Sequence, residues 1–249
     1  MEDRKLTVRA VERALDILMC FTKKDDLGLT EIAAEIDLHK STVHRLLNTL
    51  EEKGFVVRNA STEKYRLGLK IWELSAHLSH NDDPAVLLLP QMEQLRDRLG
   101  ETVSLYLRDG IDRLRIQAVQ SNQAIRRVAP VGARLPLFVG ASSKVLVAYA
   151  DESVLQAVMA SPDWPESVDR NVYVEQLQDI RRQGYAISYE EREPGASAVA
   201  APIFNRNGKI AAALSLSGPI SRMNPQKLHE YGPMLIEAVR EMGMMIQTS

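Results

Sequence analysis

The chain has 249 residues, 45% hydrophobic and 26% charged, with a formal net charge of -2. That is the composition of an ordinary globular protein of one large or two modest domains, and it excludes a disordered, collagen-like or disulfide-rich chain. Near neutrality also excludes a protein that coats nucleic acid by bulk charge, so any DNA affinity has to come from basic groups placed locally.

The opening MEDRKLT is charged and no apolar stretch follows it, so a secretory leader is not expected. No run approaches the length of a membrane span. The expected location is the cytosol, without a membrane partner. The first helical pattern carries Val11, Ala14, Leu15, Leu18 and Phe21 or Thr22, which reads as a packing helix. Cys20 lies within it and is the single cysteine, which excludes an internal disulfide and a multi-cysteine zinc site. Beside Phe21 it reads as a small buried apolar residue.

Residues 29–50, LTEIAAEIDLHKSTVHRLLNTL, read as a helix pair. The first helix, TEIAAEI, puts Ile32, Ala33 and Ile36 on one apolar face, and Asp37-Leu38 make a short break. The second begins near Lys40, with Val43, Leu46, Leu47 and Leu50 inward at helical spacing. Its outward face is Lys40, Ser41, Thr42, His44, Arg45, Asn48 and Thr49, and no acidic residue occurs from Leu38 to Leu50. Short hydroxyls, an amide and an arginine can approach phosphates and offer donors to base edges, as a recognition helix must. After Gly54, two short β-like runs (residues 55–58 and 65–67) flank a polar turn, the pattern of a hairpin. Its basic residues Arg58, Lys64 and Arg66 outnumber Glu63, so it reads as a wing touching the DNA backbone.

Leu69, Trp72, Leu74, Ala76 and Leu78 continue as a linker helix over 69–80, broken by Asn81-Asp82-Asp83-Pro84. Aspartate before Pro84 is a helix start, and residues 84–99 read as one helix stopped by Gly100. The division expected is 1–68, a winged helix-turn-helix; 69–82, the linker; and 83–249, a second domain.

That second domain reads as α+β. TVSLYLR and RLRIQAV alternate as strands around Asp109-Gly110, a hairpin signal, and residues 124–131 are a candidate third strand. Residues 140–150 read as a helix opened by Ser142 or Ser143, and residues 175–183 as another, ended by Gly184. Strands follow at 185–189, 197–204 and 209–217, then a last helix from Pro225 carrying Leu228, Tyr231, Leu235, Ile236, Val239 and Met242.

The order VRAVERALDIL, LTEIAAEIDLHKSTVHRLLNTLEEKGFV, YRLGLKIWELS resembles the N-terminal half of the isocitrate lyase regulator (IclR) family of bacterial transcription factors. GARLPLFVGASSKVLVAY and GYAISYEEREPGASAVAAPIFNRNGKIAAALSLSGPISR resemble its C-terminal half. The resemblance implies a winged helix-turn-helix joined by a linker helix to a GAF-like domain, whose curved sheet holds a small effector. It also implies dimerisation through the DNA-binding domain and linker, with sensor domains pairing into tetramers.

The candidate effector site is built from two features. Ala141, Ser142 and Ser143 open a helix, where backbone N–H groups favour an anion. Ser215 and Ser217 share one strand face by period two, with Leu214 and Leu216 on the other. The resemblance adds Ser188 and places all six around the effector pocket, with small carboxylates as frequent ligands. Family members that bind small acids often have an acidic residue where this chain has Ser188 and a cysteine where it has Ala198. No arginine or lysine falls in the set, so the expectation is a small carboxylate or polar metabolite held by neutral donors. Leu105, Leu137 and Phe138 are expected as an apolar wall suited to a larger or aromatic ligand.

Enzymatic readings fail on spacing. Ser142 and Lys144 stand at i, i+2 of one helix and do not face each other, so the serine is expected to cap the helix. Glu190 and Glu191 are adjacent and point to opposite faces of a strand, which leaves a solvated or interdomain salt-bridge role. His77 and His80 lack a third ligand. No nucleotide loop is present, and no catalytic residue, metal or cofactor is expected. The reading is a homo-oligomeric transcriptional regulator, with repression favoured and the sign set by the operator's position. Its partners are operator DNA and a small effector. The alternatives, a small-molecule enzyme or an adaptor whose helical domain does not bind DNA, require a nucleophile, a metal cluster or a docking face instead.

Overall fold

The computed structural model describes residues 7–76, 83–126 and 130–246. The chain divides into two compact units, residues 1–80 and 81–249.

In the first unit, α1 (Arg9–Cys20), α2 (Leu29–Glu35) and α3 (Lys40–Glu52) precede a two-stranded wing, β1 (Val56–Arg58) and β2 (Tyr65–Leu67), and then α4 (Leu69–Ala76). Helix α2 starts where the Glu31 carboxylate turns back to accept the Gly28 N–H at 2.9 Å, half of a capping box. Asp37 takes a left-handed φ of 49° in the turn to α3, a conformation that aspartate tolerates better than most residues. The core gathers Ile17, Phe21, Ile32, Val43, Leu47, Leu50, Val56 and Tyr65. Cys20 is buried with them. Burial first, and then the charge of Glu35, raise its thiol pKa, which disfavours the reactive thiolate.

The packing face of α1 departs from expectation. Ile17 is fully buried while Val11 and Leu15 are exposed. The helix carries two apolar stripes, and the one centred on Ala14, Ile17 and Phe21 packs inward. The other, Val8, Val11, Leu15 and Met19, is exposed. Helix α4 likewise exposes Leu69, Trp72 and Leu74. The rest of the expected linker, with His77 and His80, lies outside the described residues.

The second unit is α+β. Its elements are α5 (Pro84–Leu87), α6 (Leu89–Leu99), β3 (Thr102–Asp109), β4 (Asp112–Val119), β5 (Arg134–Pro136), α7 (Ala141–Ala148), α8 (Glu152–Met159), α9 (Arg170–Gln183), β6 (Ala186–Tyr189), β7 (Ala196–Phe204), β8 (Ile210–Pro219) and α10 (Pro225–Met245). The strands form one antiparallel sheet in the order β5-β4-β3-β8-β7-β6. The expected single helix at 84–99 is two, because Pro90 falls in the first turn of α6 and has no N–H for a continuous ladder. Helix α8 was not foreseen. The third strand is β5, not 124–131, whose described residues form bends and turns.

Strand alternation sends Val103, Leu105, Val199, Ala201, Ile203, Leu214 and Leu216 to one side, where α6 and α10 cover them. Tyr106, Ala200 and Ala213 go to the other, under α7, α8 and α9. Burying each large aliphatic chain is worth about 1.5–3 kcal/mol, so the first of these faces is strongly specified. The second face also carries the serines, which is what positions the candidate pocket.

Candidate functional site

In the first unit His39 caps α3: its Nδ1 accepts the Ser41 N–H at 3.3 Å and lies 2.8 Å from the Ser41 hydroxyl. With Val43, Leu47 and Leu50 buried, Lys40, Ser41, His44, Arg45 and Asn48 are exposed and Thr42 is half-buried. In the wing, Asn59 Oδ1 accepts the Ser61 N–H at 2.9 Å and the Thr62 N–H at 3.2 Å, which shapes the tip. Lys64 and Arg66 are exposed. Arg58 is engaged within the wing: Nη2 donates to Glu63 at 2.8 Å, and the guanidinium sits 5.9 Å from the Tyr65 ring centre. An exposed pair of this kind is worth no more than about 1 kcal/mol, so a phosphate competes for Arg58 readily.

In the second unit Ser188, Ser215 and Ser217 are all buried, and they line one pocket together with Gly140, Ala141 and Ser142 from the start of α7. Five of the six expected residues thus converge. Ser143 turns away, its hydroxyl donating to the Pro136 carbonyl at 2.9 Å. The serine facing expected from period two is what the sheet shows, since Ser215 pairs with Ser104 and Ser217 with Thr102 across β3. The Ser217 hydroxyl oxygen is buried and has no hydrogen-bond partner among the described residues.

Three corrections follow. The pocket is not lined by neutral donors alone, because Arg113 and Arg115 on β4 and Arg192 after β6 complete its wall. Arg113 donates to Ser142 Oγ and lies 4.8 Å from the Tyr106 ring centre; Arg115 donates to Tyr106 Oη. Ser142 therefore does not cap α7. Gly140 precedes that helix instead, at φ 95°, and an added Cβ would meet the Arg113 guanidinium at 3.3 Å, so glycine is required there. Finally, the expected apolar wall is dispersed. Leu105 faces the α6–α10 side because it alternates with Tyr106, while Leu137 and Phe138 pack among α7, α9 and Trp164.

Glu191 stands beyond the end of β6 and is no strand residue. It accepts Lys144 Nζ at 2.5 Å and the Gly140 N–H at 3.2 Å, so the start of α7 already holds a carboxylate. Lys144 is 4% exposed, and its ion pair with Glu191 removes it from Ser142. Glu190 closes a local turn by accepting the Gly195 N–H at 2.7 Å. Among the described residues no His, Cys, Asp and Glu cluster of three or more is placed to hold a metal, and no helix is long and apolar enough to cross a membrane.

The arginines were the residues missed. Their signal was present in RLRIQAV, where Arg113 and Arg115 share a strand face by period two. Only the pairing of β4 with β3 places that face over Tyr106.

Comparison with known proteins gives a consistent result along the chain. Residues 10–60 match the family model for the IclR helix-turn-helix domain, and residues 78–244 match that for the bacterial transcriptional regulator IclR C-terminal domain. The HTH-type transcriptional regulator KdgR of Escherichia coli K12 is 32% identical over 242 residues, covering 95% of this chain and 92% of that protein. The crystal structure of an IclR transcriptional regulator from Alicyclobacillus acidocaldarius is 30% identical, with a TM-score of 0.80 over 95% of this chain and 98% of its own. An IclR homologue from Microbacterium hydrocarbonoxydans, solved in complex with 4-hydroxybenzoate, is 25% identical, with a TM-score of 0.81 over 94% of this chain and 98% of its own.

Proposed function

The chain belongs to the IclR family of bacterial transcriptional regulators, and from that premise we propose which residues read DNA, where the effector sits and how the protein assembles. It is a helix-turn-helix DNA-binding regulator, not an enzyme, and a small metabolite modulates its action.

Helix α3 is the recognition helix, with Lys40, Ser41, Thr42, His44, Arg45 and Asn48 toward the major groove and Arg58, Lys64 and Arg66 along the backbone. The observation that carries this reading is the outward face of α3, which presents hydroxyls, an amide and basic groups with no carboxylate between His39 and Thr49. Repression is the proposed sign, for an operator that overlaps its promoter. The functional division is 1–68 for DNA binding, 69–82 for the linker and 83–249 for the effector domain, in a cytoplasmic protein.

One winged module makes few base contacts, so useful specificity needs two half-sites and a symmetric dimer. The exposed stripes of α1 (Val8, Val11, Leu15, Met19) and α4 (Leu69, Trp72, Leu74) are the apolar surfaces offered for pairing, with tetramers formed through further contacts of the effector domains. The effector pocket is the one lined by Ala141, Ser142, Ser188, Ser215 and Ser217. Its occupant is a small carboxylate, which shifts DNA affinity by binding the competent and incompetent arrangements unequally.

A gel-shift assay on the DNA upstream of the protein's own gene tests the reading. Arg45→Ala should cost about 1–3 kcal/mol on the cognate site, and Arg66→Ala should weaken all sequences alike. Unchanged affinity in the double variant sinks the assignment. Sedimentation showing only monomer at micromolar concentration, with tight operator binding retained, rules out the dimer.

A further inference from the structure

A second cleft, sharing no residue with the serine pocket, lies beside the outer end of β7. Strand β6 pairs with β7 only as far as Ala186 opposite Ala200, so among the described residues Pro202 and Phe204 have no strand on that side. Pro202 could offer none an N–H in any case. Helix α10 closes in on this edge. A Cβ at Gly243 would stand 2.5 Å from the Phe204 carbonyl oxygen, so only glycine lets the helix come so near. Gly184, which ends α9, and Tyr149, which follows α7, complete the walls. Tyr149 is held in place there. Its hydroxyl donates to the Ile180 carbonyl at 3.1 Å, and its ring stands edge-on to Phe204 with centroids 5.0 Å apart.

About 330 Å³ is open in this cleft, the size at which clefts begin to hold small organic molecules. Tyr149, Phe204 and Ile236 are half-buried and Met244 is exposed, so the wall that faces the opening is apolar. Two aromatic side chains and a thioether suit an aromatic ring. The charged groups in the lining are both cationic, Arg206 and Arg240, and both are exposed. Arg206 Nη2 donates to the Met244 carbonyl at 3.2 Å, a neutral acceptor, and neither arginine makes an ion pair among the described residues. Glu237 and Glu241, the acidic residues nearest Arg240 along α10, line a different cleft against α6. Guanidinium groups pair with carboxylates in two-pronged fashion, and here two of them stand at the edge of an apolar cavity.

We propose that this cleft is a second small-molecule site, separate from the serine pocket, and that it takes an aromatic carboxylate. The ring lies against Tyr149, Phe204, Ile236 and Met244, and the carboxylate is received by Arg206 and Arg240. The apolar wall supplies affinity and the two arginines select for charge. The site stands whether or not the serine pocket holds the effector.

Calorimetric titration of the full-length protein with 2-naphthoate and its neutral isostere 2-naphthamide tests it. The acid should bind at least about threefold more tightly than the amide, the scale of charge pairs that remain partly exposed. Arg206→Gln combined with Arg240→Gln should erase that difference and leave the affinity for the amide as it was. Met244→Ala, which removes a piece of the wall and keeps both arginines, should weaken acid and amide alike. All three positions are exposed, so the variants should fold, with circular dichroism and operator binding as the check. Binding of neither probe at millimolar concentration, or equal binding of the two, overturns the proposal on the wild-type protein alone. A preference for the acid that survives the arginine pair places the probe elsewhere and overturns the site. Sedimentation showing that the arginine pair alters the oligomeric state without any probe would make the cleft an interface between copies, which also overturns it.

Discussion

Arg115 of β4 donates two hydrogen bonds to the phenol of its register partner Tyr106 on β3, from Nε at 3.0 Å and from Nη2 at 2.5 Å. Burial pushes the phenol pKa up, but the charges of Arg115 and Arg113, the Arg115 hydrogen bond and the charge of Arg192 outweigh it and hold Tyr106 below the ordinary phenol value. Tyr173 behaves in the opposite way: burial, then Glu191, raise it well above that value. Ultraviolet titration should therefore show one tyrosine ionising early, absent in Tyr106→Phe. Between its lowered pKa and about 10 the folded protein has lost a proton that the unfolded chain keeps, so stability rises with pH relative to Tyr106→Phe. Tyr173 contributes the reverse, stability that is present below about 10 and lost as pH climbs further. An alkaline denaturation series in which wild type and Tyr106→Phe run parallel would refute the assignment.

Much of this arrangement was legible in the sequence, because period-two and helical patterns are local. Val43, Leu47 and Leu50 gave the buried side of α3, and Ser215 with Ser217 gave the pocket face of β8. What was not legible depends on partners far along the chain. Helix α1 carries two apolar stripes, and only packing decides which one is buried. Leu105 and Tyr106 are neighbours in sequence but face opposite layers. The arginines of β4 became pocket residues through a hairpin register, not through any motif of their own.

Glu191→Ala should destabilise the second unit strongly. Lys144 is nearly fully buried, and its charge is paired with Glu191, with Gln176 Oε1 farther off at 3.4 Å. Removing one partner of a buried pair typically costs about 3–5 kcal/mol, because the other charge is stranded. Each kcal/mol lowers the melting temperature by roughly 2–4 °C in a unit of this size. Adding Lys144→Met to Glu191→Ala should recover most of the loss. Glu190→Ala, which removes only an exposed turn contact, should cost well under half as much. Equal melting temperatures for the two single glutamate variants would show that the pair contributes nothing.

The wing gives a prediction in salt. Glu63 neutralises Arg58 across an exposed contact, with side chains 75% and 41% accessible. Glu63→Gln frees that guanidinium for a phosphate without touching the wing's core, Val56 and Tyr65. Affinity for DNA of any sequence should rise, and the slope of log K against log salt should steepen by about 0.9, the value for one added phosphate contact. Anisotropy measured across a salt series decides it. An unchanged slope would remove Arg58 from the DNA-facing set while leaving Lys64 and Arg66 in it.

Ser217→Ala should move stability and ligand affinity in opposite directions. The Ser217 hydroxyl is buried and makes no hydrogen bond among the described residues, so it contributes desolvation cost without a compensating contact. Its removal should leave folding stability unchanged or raise it by about 1 kcal/mol. If the same hydroxyl donates to an effector oxygen, its loss weakens effector binding by about 1–3 kcal/mol. Operator affinity without effector should stay as in the wild type, because the pocket acts only through the bound ligand. A purely structural serine would lose stability and leave the effector response intact. Melting curves and an effector titration of operator release, run on the same preparation, separate the two outcomes, and a response at wild-type effector concentration would remove Ser217 from the site.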